Sequence, residues 1–217
     1  MPEIVTVRDV TLALAETNRG IYLAPERRKL ASGRMSCFYL NVGDEVISYP
    51  SVKDTIVKAL AQTFHEATQE HGFQPDKIVG VPEGGNMLTS SLGDTLSIGQ
   101  LRIREIHSDH GDQRSIEGDY FIREYVGVIE DVMSTGGSTL TRAVEPLRGA
   151  ELNPIIAVSL VDRQYGGITN LRAAGLTTKA FTTTTEIAEV LIAENMLSDA
   201  QIRLLQEELE ELKALNQ

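Results

Sequence analysis

The chain has 217 residues, one cysteine and a net charge of −11, with 41% apolar and 24% charged residues, which suits a single globular domain able to bury its own core. The acidic balance argues against general nucleic-acid binding, which draws on basic surface, yet allows a locally basic pocket for an anionic ligand. No apolar run approaches the roughly 18 residues of a membrane span, residues 1–9 lack a signal-peptide pattern, and the lone Cys37 excludes an internal disulfide, so a reducing cytoplasmic setting is expected.

Residues 1–50 read as a smaller, strand-like hood lobe; residues 51–197 alternate strands and helices, and residues 198–217 form a last helix, all within one domain. A helix is predicted over 51–71, with Ile56, Leu60 and Phe64 at steps of four. Lys77 to Val81 reads as a short strand ending in Pro82-Glu83-Gly84-Gly85, with a helix from about Asn86 to Leu96. Leu101 to Ile106 alternates apolar and charged residues, as a strand with one wet face would; His107 to Asp119 reads as a long loop or hairpin. Tyr125 to Ile129 is a continuous apolar run, the mark of a buried parallel strand.

A helix from Ser138 to Leu147 follows, then a strand from Ile155 to Val161 and a helix from Asn170 to Ala174 that Gly175 ends. After a strand at Thr178 to Phe181, Thr183 and Glu186 make a capping-box pair that opens a helix. Ser198 and Gln201 do the same for the last helix, whose Ile202, Leu205, Leu209 and Leu212 form one apolar stripe. The acids between Gln206 and Glu211 are expected on a solvated face. This order predicts an α/β fold: a mainly parallel sheet with helices on both faces and ligands at the carboxyl ends of the strands. Three polar, glycine-bearing loops would converge there: 82–85, 130–138 and 162–167.

The segment from Tyr125 to Leu147 carries the most chemistry. A buried strand delivers Glu130 and Asp131 to the sheet edge, and Ser134, Thr135, Gly136, Gly137 and Ser138 then lead into a helix. Glycines let backbone N–H groups turn inward, the helix N-terminus adds partial positive charge, and the hydroxyls add donors; together they suit a phosphate. The two carboxylates would repel that phosphate but can accept from a sugar diol beside it, which points to ribose 5-phosphate. No Lys follows the glycines, so the loop is not a Walker motif.

This run resembles the phosphoribosyl diphosphate signature of type I phosphoribosyltransferases, and other segments resemble the orotate branch. Leu30 to Tyr39, with Ser32-Gly33-Arg34, resembles its N-terminal segment; Val79 to Gly85 its diphosphate loop; Arg104 to Gly111 its mobile catalytic loop; and Val161-Asp162-Arg163-Gln164 the strand end that meets the base. The resemblance implies a type I phosphoribosyltransferase fold with an N-terminal hood, and transfer of ribose 5-phosphate from phosphoribosyl diphosphate to orotate. It implies catalytic roles for Arg104, His110 and Asp131. It implies phosphoribosyl diphosphate contacts from Gly84, Gly85, Arg104, His110 and the run Glu130, Asp131, Val132, Met133, Ser134, Thr135, Gly136, Gly137, Ser138. Orotate contacts would come from Phe38, Ser134 and Arg163. Mg²⁺ would arrive with the substrate near Glu130 and Asp131, with no dedicated metal site, and the protein would be a homodimer sharing its mobile loops.

The chain departs from that family at Glu105 and Ser108, where the mobile loop usually carries lysines, at Ala31, and at Gly84, where some members carry a Lys. Each lost charge-assisted contact to diphosphate is worth roughly 1.5–3 kcal/mol, so slower chemistry is expected. Two other readings stay open at this point: a transferase for another base, and a non-catalytic binder of phosphoribosyl diphosphate or a nucleotide.

Overall fold

The computed structural model describes residues 4–17, 19–30, 33–43, 48–104 and 115–215. Its core is a six-stranded sheet in the order β5-β4-β3-β6-β7-β8, made of Ile116–Glu117 (β5), Gly99–Ile103 (β4), Lys77–Gly80 (β3), Tyr125–Met133 (β6), Asn153–Asp162 (β7) and Thr177–Thr183 (β8). All neighbours pair in parallel except β4 with β5, which form an antiparallel hairpin.

Alternation along the strands divides the core in two. Ile78 and Ile129 face one side, where Pro50–His71 (α2) and Gly84–Leu96 (α3) pack. Val79, Val126 and Val128 face the other, against the helical run 137–149 (α4) and Gly167–Ala173 (α5). Helix α2 buries Ile56, Leu60 and Phe64 as its period predicts, and Phe64 lies so close to β6 that a Cβ on Gly127 would come within 2.8 Å of its ring. The run α4 comprises Gly137–Thr139, a wide π-type turn at Leu140–Val144, and Glu145–Gly149. The widening falls just before Pro146, which has no N–H for a carbonyl one turn back.

The hood consists of Ile21–Lys29 (β1) and Met35–Leu40 (β2), an antiparallel pair with an irregularity between Leu23 and Arg28. The strand-like reading of residues 1–50 missed Val7–Ala15 (α1), which packs on α2 and on Thr184–Ala193 (α6). A capping box starts α1: Asp9 N–H donates to Thr6 Oγ1 at 3.2 Å, and Thr6 N–H to Asp9 Oδ2 at 2.9 Å. Asp here does what Glu or Gln more often does. The Thr183–Glu186 box and the Ser198–Gln201 pair form as predicted.

The last helix, Asp199–Leu215 (α7), lies on β1 and β2, burying Leu205, Leu209 and Leu212. It corrects one expectation. Glu208, in the acidic run assigned to solvent, is only 2% exposed because it falls within the apolar stripe, one position before Leu209. Arg27 Nη1 to Glu211 Oε1 at 2.6 Å adds a second tie between helix and hood. No helix among the described residues is long and apolar enough to cross a membrane.

Candidate active site

The carboxyl ends of β3, β6 and β7 meet as the parallel order requires, and their main chains touch. Val81 N–H donates to Ile129 O at 2.8 Å, and Arg163 N–H to Met133 O at 2.8 Å. Asn170 Nδ2 donates to Thr135 O at 2.8 Å, fixing the β6 loop to α5. Gly136 takes the left-handed turn at φ +75°, and a Cβ there would lie 2.9 Å from Gly167 O. The predicted convergence of three loops is therefore present.

Glu130 and Asp131 face opposite ways. Strand β6 continues through both to Met133, so successive side chains point to opposite faces. Glu130 turns toward α4, is 5% exposed, and accepts hydrogen bonds from the hydroxyls of Thr139 and Ser138. Burial pushes its pKa up to about 7, against the opposing pull of the Thr139 hydroxyl and with a further push from Asp131. Its carboxylate braces the start of α4 and is nearly closed to solvent.

Asp131 turns the other way, toward α3 and the hood. A Cβ at Gly84 would lie 2.2 Å from Asp131 Oδ2, and one at Gly43 would lie 3.2 Å from the same atom and 2.6 Å from Gly84 Cα. Asp131 is thus wedged against bare backbone at the N-terminus of α3, where Gly84 and Gly85 form the first helical turn. A lysine at Gly84 would have to push the Asp131 carboxylate or the start of α3 aside to seat its Cβ. Gly43 was missed by the sequence reading, and nothing in its local pattern marks it.

The loop between β6 and α4 is only partly available to a ligand. Val132 is paired with Val161 in the sheet, and the Met133 side chain is fully buried while its carbonyl is taken by Arg163. These two residues, predicted as ligand contacts, also hold the sheet together. Gly137 N–H reaches Thr135 Oγ1 at 3.4 Å, a long contact, and Ser134 Oγ is buried with no hydrogen-bond partner. An orphaned buried hydroxyl beside a helix N-terminus marks a place for a polar ligand atom.

On the next strand, Arg163 follows β7 and is 7% exposed. Asp162 Oδ1 accepts from Gln164 N–H at 2.8 Å, a tight turn that aims the arginine across toward the hood. Arg163 Nη2 donates to Phe38 O at 2.9 Å, and no carboxylate pairs with it among the described residues. Burial lowers its pKa, partly offset by Tyr165, Glu208 and Tyr39. The Phe38 ring is fully buried in the core and its carbonyl meets Arg163, while Tyr165 and the half-buried Tyr39 are aromatic side chains near the guanidinium. Arg34 lies over the Tyr165 ring at 4.7 Å, closing the hood onto the same loop.

Arg104 stands at the end of β4, its Nε 3.3 Å from Glu117 Oε1 with both side chains exposed. Ala31, Glu105, Ser108, His110 and Gly111 lie outside the described residues. No cluster of three or more metal-ligating side chains occurs among the described residues. Of the two acids of β6, Asp131 is the less buried, and one such carboxylate fits a Mg²⁺ held mainly by substrate phosphates and water.

No protein-family model matches the chain. It is 35% identical over 170 residues to the orotate phosphoribosyltransferase of Sorangium cellulosum, covering 73% of this chain and 82% of that protein. Among solved structures it is similar to Leishmania donovani UMP synthase, with a TM-score of 0.78 and 22% identity over 94% of this chain, though only 42% of that longer one. It is also similar to the orotate phosphoribosyltransferase of Aeropyrum pernix, with a TM-score of 0.69 and 23% identity, covering 84% of this chain and 98% of that one.

Proposed function

The chain belongs to the orotate phosphoribosyltransferase family, and on that premise we propose that it transfers ribose 5-phosphate from phosphoribosyl diphosphate to N1 of orotate. The products are orotidine 5′-monophosphate and diphosphate, a step toward UMP in the cytoplasm. One observation carries the reading. An anion cradle after β6 and a cation with no carboxylate partner among the described residues after β7 stand on neighbouring strands, linked by the Arg163 N–H to Met133 O bond. That spacing suits a molecule with a phosphate at one end and a carboxylate at the other.

In this reading the C1–O bond to diphosphate breaks as the C1–N1 bond forms, with oxocarbenium character at C1 and the N1 proton lost to the departing diphosphate. The work is positioning and stabilisation of charge. Gly137 and Ser138, at the start of α4, hold the 5-phosphate with the Ser134 hydroxyl; Asp131 accepts from the ribose diol; Gly84 and Gly85 receive the diphosphate at the start of α3. Arg163 pairs with the orotate carboxylate. Mg²⁺, bound with the diphosphate beside Asp131, would neutralise charge on the leaving group. Arg104 and His110 belong to the loop that covers the diphosphate.

The test is turnover: with phosphoribosyl diphosphate and Mg²⁺, orotate absorbance should fall in proportion to enzyme. Absence of any fall at micromolar enzyme would overturn the assignment, and diphosphate release with a different base would redirect it. The same reading includes a homodimer whose loops are shared. Mixing Arg104→Ala with Asp131→Asn subunits should then restore part of the activity, because one of the two sites per heterodimer is intact. No recovery in verified heterodimers would mean each subunit works alone.

A further inference from the structure

Glu208 reaches the hood from α7, and its hydrogen bonds among the described residues come from β2. Ser36 Oγ lies 2.6 Å from Glu208 Oε1, while Cys37 N–H donates to Oε2 at 2.8 Å and the Cys37 thiol at 3.2 Å. The serine is in demand from three sides. Its oxygen is also 3.0 Å from Phe38 N and 3.0 Å from Phe38 O.

A hydroxyl has one proton to give. The shorter, charge-assisted bond to Glu208 takes it, and the serine oxygen then accepts from Phe38 N–H. The Phe38 carbonyl is left to Arg163 Nη2 at 2.9 Å. A carbonyl oxygen can accept two bonds, so the carboxylate on α7 does not choose between donors; it keeps the serine from sharing and weakening the bond to Arg163, although it makes no bond to Arg163 itself. Its charge also favours the guanidinium cation.

We propose that Glu208 is a positioning residue for base recognition: by drawing the Ser36 proton it reserves the Phe38 carbonyl for Arg163 and so orients the guanidinium toward the orotate carboxylate. The proposal rests on the assignment of Arg163 to that carboxylate. Glu208→Gln disturbs the arrangement because an amide has one oxygen for two claimants. If that oxygen meets Cys37 N–H, the amide nitrogen donates to Ser36, whose proton turns to the Phe38 carbonyl and competes with Arg163. If it meets Ser36 instead, the amide nitrogen faces Cys37 N–H, donor against donor.

Steady-state constants for both substrates in the wild type, Glu208→Gln, Arg163→Gln and the double variant make the test. Glu208→Gln should raise the orotate KM about tenfold while leaving that for phosphoribosyl diphosphate unmoved, and should add nothing in the Arg163→Gln background. Additive effects, an equal rise for both substrates or no rise would each overturn the proposal. Ser36→Ala supplies an independent check if Glu208→Gln does not fold. It removes the competing proton and leaves the Phe38 carbonyl to Arg163, so the orotate KM should stay close to wild type even as stability drops. A tenfold rise there would show that orotate affinity follows hood packing, and the proposal would fall. If Arg163→Gln leaves the orotate KM unchanged, the base assignment fails and takes this proposal with it; if it raises it and Glu208→Gln does not, only this proposal fails.

Discussion

At the phosphate end of the site the contacts are local: Thr139 holds Glu130 across nine positions, and Gly137 reaches Thr135 across two. At the base end they span the chain, with Arg163 held by Phe38 across 125 positions and Ser36 by Glu208 across 172. The first end is built on β6 and α4, with Asn170 of α5 steadying the loop across 35 positions. The second needs β7, the hood and α7 all docked, and each long-range closure carries its own entropic cost. A cradle for phosphate thus has few parts that can move, whereas the grip on the base inherits any looseness of the hood. Perturbations at the two ends should separate accordingly.

The largest effect is expected where the two ends meet. Asp131 Cγ occupies the space 2.5 Å from where a Gly84 Cβ would stand. Gly84→Ala must push either the carboxylate or α3 aside, and displacement of about 1 Å in such a site costs on the order of a hundredfold in kcat/KM. Gly84→Lys should lose as much, even though it supplies a cation that some family members carry in that loop. Activity at the wild-type level in either variant, by steady-state assay, would show that the Asp131 wedge has no part in the reaction.

A smaller effect should isolate the phosphate end. Thr139→Val keeps the shape of the side chain but removes the hydroxyl donor to a buried carboxylate. The expected cost is about 1–3 kcal/mol of unfolding free energy, measured by urea titration. The KM for phosphoribosyl diphosphate should rise while that for orotate holds, opposite to the pattern expected of Glu208→Gln. A rise in the orotate KM instead would mean the two ends are mechanically coupled.

What the sequence revealed follows the same division. The parallel order, α2, the Thr183 and Ser198 caps and the convergence of three loops were legible because period, capping pairs and strand–loop–helix order are local signals. The two acids of β6 were misjudged for one reason: the strand was ended at Ile129, at the last apolar residue. Extended to Met133, its alternation alone sends Glu130 and Asp131 to opposite faces. Glu208 could not be found locally, since a glutamate among glutamates reads as solvated until the hood it touches is in place. Gly43 is of the same kind: its closeness to Gly84 is a product of the fold, and no residue near it signals that.

The gentlest probe of the base end is Cys37. Its thiol is fully buried, donates to Glu208 Oε2 at 3.2 Å, and is pushed up to about 12 by burial first and by Glu208 second. At pH 8 it stays protonated as well as enclosed, so an alkylating reagent should label the native protein far more slowly than the urea-unfolded chain. The pH dependence has a definite sign. In the unfolded chain the thiol ionises near its ordinary value of 9, whereas the folded one keeps its proton to about 12, so stability should fall as pH rises through that window. Cys37→Ser removes the ionisation and should flatten that fall, with little change in either KM because a hydroxyl can donate to Glu208 as the thiol does. Rapid labelling of native protein with the orotate KM intact would mean that α7 parts from the hood in ordinary motion. The base end would then be held by β7 and β2 alone, and the contrast between a local and a chain-spanning half of the site would weaken to that extent.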